Sequence, residues 1–79
     1  MGKREQNERK FENWVEIEDN QRKYWYDVFS KSGWKARYAK IVNKDEETLK
    51  FYQEIYNENG ELIEIHEKYP VDKGHKKIL

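Results

Sequence analysis

The residues of this chain nearest to acid–base chemistry are His66 and its expected neighbours. Residues two apart on a strand share a face, so in LIEIHEKY Glu64 stands beside His66. The stretch Asn57-Glu58-Asn59-Gly60 has glycine where a type I turn needs a left-handed residue, which predicts a three-residue hairpin loop with Asn57 opposite Glu61. That register sets Tyr52 opposite His66, and a histidine held between a phenol and a carboxylate is a candidate general acid or base. The plainer account is an exposed histidine on the polar side of a strand. His75, in the lysine-rich DKGHKKI, extends the set: with His66 and Asp72 it offers metal-ligating side chains. Two histidines nine residues apart lack the spacing of a metal site. The expectation is no metal, no cofactor, and His66 with Tyr52 as the only catalytic candidates. No Gly-rich phosphate loop, HExxH or nucleophile elbow occurs, and Ser30 and Ser32 share a turn with no histidine to activate them. The balance points away from an enzyme.

A different chemistry is offered by SKSGWKARYAKIVNK, Ser30 to Lys44, which carries five lysines and arginines, two aromatics and no acid. Rings that stack on bases and cations that meet phosphates are the two halves of single-strand recognition. Trp34, Lys35, Arg37, Tyr38 and Lys40 are the candidate binding residues, for a nucleic acid or a protein partner. Against a nucleic-acid partner stands the overall charge: 16 basic and 16 acidic residues sum to zero, whereas nucleic-acid domains are usually basic. Between Asp45 and Glu67 there are eight acids and only Lys50 as a base. A basic strand beside an acidic hairpin can neutralise itself within the molecule.

These side chains must be positioned by a small frame. A chain of 79 residues has room for one domain and a small core. Only 35% of residues are hydrophobic and 41% are charged, but twelve are aromatic, and each buries on the order of 150–250 Å². The absence of cysteine excludes disulfides, thiolate metal sites and cysteine nucleophiles, and fits a reducing compartment. No apolar run approaches the roughly 20 residues of a membrane span, and MGKREQNERK lacks the apolar segment of a signal peptide. A cytoplasmic protein with no membrane contact is expected. Twelve Lys and twelve Glu suit an organism living hot, as they would an AT-rich genome.

The pattern predicts a mainly β, single-domain fold: an antiparallel up-and-down meander of four to five curved strands. Residues 1–13 form a polar arm or short helix, with Phe11, Trp14 and Val15 at helical spacing. Residues 14–70 hold the β domain, with strands WVEIE (14–18), KYWYDVF (23–29), WKARYAKIV (34–42), LKFYQEIY (49–56) and LIEIHEKY (62–69). The linkers DNQR, SKSG, NKDEET and NENGE are too short for a crossover, so neighbours pair antiparallel. Residues 71–79 are a tail or an edge element anchored by Val71, Ile78 and Leu79, beginning after Pro70 closes the last strand.

Ser30-Lys31-Ser32-Gly33 repeats the glycine-closed turn, pairing Ser30 with Trp34, Asp27 with Arg37 and Tyr26 with Tyr38. If NKDEET lets Val42 meet Leu49, a row Asp27, Arg37, Glu54, Glu64 crosses the sheet, with arginine relieving the opposed glutamates. The later hairpin sets Ile55 opposite Ile63, Gln53 opposite Ile65 and Leu49 opposite Tyr69. One face then gathers Trp34, Ala36, Tyr38, Val42, Leu49, Phe51, Ile55, Ile63, Ile65 and Tyr69 with Tyr24, Tyr26 and Val28. Such a face needs a cover. The candidates are the N-terminal segment with Phe11 and Trp14, closure into a barrel, or a homodimer, and the first is favoured.

The last third, QEIYNENGELIEIHEKYPVDKGHKK, resembles small uncharacterised prokaryotic proteins that end in a strand, an Asn-Gly turn, a strand reading EIHEKYP and an Asp-x-Gly-His-basic tail. That resemblance implies a domain of unknown function and no mechanism. More distantly, a short meander with a basic patch and a late histidine is similar to RelE-like toxin ribonucleases. The alternative function is a toxin-like ribonuclease in which His66 acts as acid or base while Arg37 or a lysine stabilises phosphate charge. The long helical hairpin and basic balance of those toxins are missing, and no residue carries over.

Overall fold

A computed structural model describes residues 2–78. A helix, α1 (Lys3–Phe11), precedes six strands: β1 (Asn13–Ile17), β2 (Gln21–Phe29), β3 (Lys35–Val42), β4 (Thr48–Tyr56), β5 (Leu62–Tyr69) and β6 (His75–Lys77). They form one open antiparallel sheet in the order β1-β2-β3-β4-β5-β6, the expected meander with one strand more. The N-terminal segment is therefore a helix, not a loose arm. KREQNERKF is built of helix formers, with Glu5 in the first turn and Arg9 and Lys10 in the last, where they complement the helix dipole. It ends at Glu12 in a left-handed cap whose N–H reaches back to Glu8 O at 3.0 Å.

The turns set most of the register. Gly33 (φ +87) and Gly60 (φ +79) close their loops as the sequence predicts, and Ser30 N donates to Trp34 O at 2.9 Å as Asn57 N does to Glu61 O at 3.0 Å. A third loop copies them without glycine. Asn43 N donates to Glu47 O at 3.0 Å, and Glu46 takes the left-handed position at φ +61. In both asparagine loops the Asn side-chain oxygen accepts two backbone N–H groups, those of Asp45 and Glu47 or of Asn59 and Glu61, at 2.9–3.0 Å.

Pairs Tyr26–Tyr38, Asp27–Arg37 and Arg37–Glu54 stand as expected. Beyond them the register departs at bulges. Val42 meets Thr48 instead of Leu49, through an irregularity at Ile41/Val42. On the last hairpin, shifts at Ile55/Tyr56 and Phe51/Tyr52 set Ile55 opposite Glu64, Glu54 opposite Ile65, Gln53 opposite His66, Tyr52 opposite Glu67 and Phe51 opposite Tyr69. The expected pairs Ile55–Ile63, Gln53–Ile65, Glu54–Glu64, Tyr52–His66 and Leu49–Tyr69 do not form. The first shift reverses the faces taken by Glu64 to Glu67, and the second restores the expected face at Tyr69. The carboxylate clash between Glu54 and Glu64 never arises, because the row ends Arg37, Glu54, Ile65, Lys76.

The helix lies over the β1–β3 half of one face. Beneath it Phe11, Tyr24 and Val42 are buried, with Tyr26 and Phe51 packed against them. Phe11 meets Tyr24 and Tyr26 at ring separations of 5.8 and 5.4 Å. The covering segment is the one expected, but the core face is smaller: Leu49 and Trp34 are exposed, and Ile65 faces the other way. β6 realises the edge-element alternative for the tail. Val71 and Ile78 are exposed and anchor nothing, and Leu79 lies outside the described residues. Polar contacts hold β6 instead, with Ile78 N donating to Ile63 O at 2.8 Å and Lys73 N to Glu67 O at 2.9 Å.

Candidate functional site

The face opposite α1 is uncovered. Reading the register across it gives three rows: Phe29, Lys35, Tyr56, Leu62; then Asp27, Arg37, Glu54, Ile65, Lys76; then Trp25, Ala39, Tyr52, Glu67. Lys23, Ile41 and Lys50 flank the third row. Alternation along β2, β3 and β4 therefore delivers both rings and cations to this one surface. Arg37 sits 5.7 Å from the Trp25 ring, Lys23 and Lys50 sit 5.8 and 5.3 Å from Tyr52, and Lys35 sits 4.6 Å from Tyr56. Each distance is within the roughly 6 Å at which a cation feels a ring's quadrupole. Ala39, between Trp25 and Tyr52 in its row, is wholly buried.

The electrostatics of this surface are uneven. Arg37 holds Asp27 in a two-pronged bridge at 2.8 and 3.1 Å. Those hydrogen bonds pull the Asp27 carboxyl below its ordinary value and raise the guanidinium in turn. Lys50 and Lys73 share Glu67 at 3.3 and 2.9 Å. Burial, and then the charge of Glu54, push the Tyr56 hydroxyl up. Among the described residues Lys23 and Lys35 have no carboxylate in ion-pair range and rest on rings alone. A molecule with no net charge thus shows a cation-bearing aromatic face.

The five candidate binding residues do not form one site. Lys35 and Arg37 lie on the open face, whereas Tyr38 and Lys40 point to the helix side, because neighbours on a strand alternate. Tyr38 stacks on Tyr26 with ring centroids 5.1 Å apart and accepts a hydrogen bond from Gln53 Nε2 at 3.1 Å. Lys40 donates to Asn7 Oδ1 at 3.1 Å under the helix. Trp34 stands before β3 beside the Ser30 turn, 40% exposed. The catalytic pair separates too, with Tyr52 on the open face and His66 on the helix side.

Around His66 a different cluster assembles. Its Nε2 lies 2.6 Å from Asp72 Oδ1, and His75, opposite it on β6, puts Nδ1 2.8 Å from Glu64 Oε1. The two imidazoles are 4.3 Å apart. Hydrogen bonds from His66 and the Gly74 N–H hold the Asp72 carboxyl low. Among the described residues no group of three metal-ligating side chains converges, and no helix is long and apolar enough to cross a membrane.

Sequence reasoning missed Lys23, Trp25, Tyr56 and Lys50 as parts of one surface. Parity was the available signal: Trp25 shares a face with Asp27, and Asp27 was already paired with Arg37. It also missed the polar bed of α1, where Arg22 meets Glu8 at 2.7 Å and Tyr24 donates to Glu46 at 2.5 Å. The repeated spacing of Asn43 to Glu47 and Asn57 to Glu61 foreshadowed the matching loops. Compared with family models, with curated proteins and with solved structures, the chain finds no match.

Proposed function

We propose that the protein is a non-catalytic binding module whose open sheet face takes single-stranded nucleic acid. The carrying observation is the set of three rings, Trp25, Tyr52 and Tyr56, each with a cation already standing over it. A base stacking on such a ring moves the ammonium aside toward the phosphate that arrives with it. Stacking supplies about 1–3 kcal/mol per base and tolerates any sequence. With zero net charge the protein gains little from long-range steering, so binding depends on contact and is modest. If Lys23, Lys35 and Lys50 each neutralise one phosphate, log K falls against log salt with a slope of about −2.

Anisotropy of a labelled RNA or DNA oligonucleotide, titrated at low salt, tests this. Lys23→Gln with Lys35→Gln is expected to flatten the slope, and Tyr56→Ala to weaken binding by about tenfold or more at any salt. Absence of binding to either strand at low salt removes the nucleic-acid reading and leaves a protein partner. Lys40→Glu is a poor probe, because Lys40 lies in the seat of the helix.

A second reading, ribonuclease activity, is favoured by one observation: His66 and His75 each face a carboxylate with their rings in contact. General acid–base cleavage of a phosphodiester uses two such groups. Intact RNA after incubation, together with unchanged growth of cells overexpressing the protein, counts against it. Cleavage abolished by His66→Ala and by His75→Ala supports it.

A further inference from the structure

On the side of the sheet away from that face, α1 stops short of β4 and β5 and leaves a groove of about 730 Å³. This is within the range of roughly 300–1,000 Å³ typical of small-molecule sites. We infer that the groove binds a small ligand made of a planar ring joined to a phosphate, a nucleoside monophosphate in chemical class. This site is independent of the open face.

The groove carries a pair of ammonium groups without a direct ion pair. Lys10 Nζ and Lys40 Nζ lie 5.6 and 5.9 Å from the centroid of the same ring, that of Phe11. Among the described residues neither has a carboxylate in ion-pair range, and Lys40 donates only to the neutral Asn7 Oδ1. Two carboxylates also line the groove, but both have other partners. Glu46 accepts from the Tyr24 hydroxyl and Asn7 Nδ2, and Glu47 accepts from Asn43 Nδ2. Burial, with the charge of Lys10 second, lowers the pKa of Lys40. Glu46 opposes both effects from a distance, and a phosphate between the two amines adds a direct charge partner for each.

Beside the amines the groove is aromatic. Phe51 and Tyr69 are directly opposed on β4 and β5, and Tyr69 is 48% exposed. Lys68 Nζ stands 5.9 Å from the Phe51 ring. A flat ring laid against this pair has a stacking surface with a cation at its rim. Lys40 is the direct cross-strand partner of Phe51, so charge and ring stand side by side in one groove, which favours a ligand with both parts over a bare anion.

Two-dimensional NMR of the full-length protein, titrated with adenosine monophosphate, adenosine and inorganic phosphate in parallel, tests the inference. The monophosphate is expected to shift Lys10, Phe11, Phe51 and Tyr69 signals with Trp25 unmoved, and to bind at least tenfold tighter than either part alone. Lys10→Gln and Tyr69→Ala change exposed side chains, so both variants fold; each is expected to weaken binding about tenfold. Lys35→Glu, on the opposite face, is expected to leave it unchanged. No shift at the groove overturns the inference, as do phosphate binding as tightly as the monophosphate and shifts confined to Trp25 and Tyr52. The last result would instead assign the nucleotide to the open face, and failure of oligonucleotide binding there leaves the groove untouched.

Discussion

Lysines and arginines meet aromatic rings on both faces of this sheet, yet the two faces use them differently. Under α1, Arg22 is almost wholly covered, and it ends against Glu8, Glu16 and the Tyr24 hydroxyl. Tyr24 passes a hydrogen bond on to Glu46, and Asn7 bridges Glu46 to Lys40. On the open face Lys23 and Lys35 are half-buried and rest on Tyr52 and Tyr56. Cover accounts for the contrast. A desolvated charge must find an opposite charge or hydrogen bonds, whereas a solvated one can lie on a ring and be exchanged for a ligand at small cost. At Arg22 the helix turns a cation into a structural joint, whereas among the described residues Lys23 and Lys35 on the open face keep no carboxylate partner.

The sharpest way to break that contrast is to lift the cover. Phe11→Ala removes the single apolar side chain by which α1 is seated, and about 3–5 kcal/mol is expected to go with it. For a domain of this size that is most of the stability. A melting temperature close to that of the parent would mean that the helix does not hold the core.

Arg22→Met is expected to lower stability by about 1–3 kcal/mol, since it takes the bridge from Glu8 and a hydrogen bond from the buried Tyr24, while the exposed Glu16 returns to water. Lys23→Met, one residue along on the opposite face, is expected to stay within about 0.5 kcal/mol. Equal urea midpoints for the two variants would erase the distinction between the faces.

Alkaline titration probes the same joint. Burial, and then the hydrogen bond to Glu46, push the Tyr24 hydroxyl up to about 12. An unfolded tyrosine titrates near 10, so the folded form holds its proton longer. The stabilisation is complete below pH ~10 and declines as pH rises to about 12, by on the order of 2 kcal/mol. Ultraviolet titration should find one phenol ionising last, and Tyr24→Phe should flatten the alkaline limb of the stability curve.

On the open face the acid limb matters. Asp27 is held low by Arg37, so its contribution is present above the unfolded value near 4 and is lost as pH falls through the lower folded value. Both side chains are partly solvated, and about 1 kcal/mol is expected. Asp27→Asn should remove that part of the acid dependence. The smallest stability effect belongs to Lys23→Gln with Lys35→Gln, within about 0.5 kcal/mol, even though the salt slope of oligonucleotide binding drops by about 1.4.

Local chemistry was legible in the residues alone. Gly33 and Gly60 announce left-handed turn positions, short polar linkers impose antiparallel neighbours, and the Ser30 turn alone places Arg37 beside Asp27. Each is a contact of a few residues' range, decided by backbone sterics and hydrogen bonds that any fold would keep. The third turn was half legible, since its asparagine pattern is there but Glu46 occupies a left-handed position that glycine would fill more easily.

Tertiary structure alone decided the rest. The bulge at Ile55/Tyr56 moved His66 to the helix side, away from Tyr52, and a bulge depends on how the sheet curves between its neighbours. Where α1 settles determined that Lys40 would bond to the helix while Lys35 rests on a ring of the other face, though nothing in WKARYAKIV separates one lysine from the other beyond parity. β6 paired His75 with His66 across a loop whose length permitted either a free tail or an edge strand. Composition and turn chemistry specify which contacts are available to a short stretch; desolvation, which needs the whole chain in place, selects which cations become structure and which remain surface.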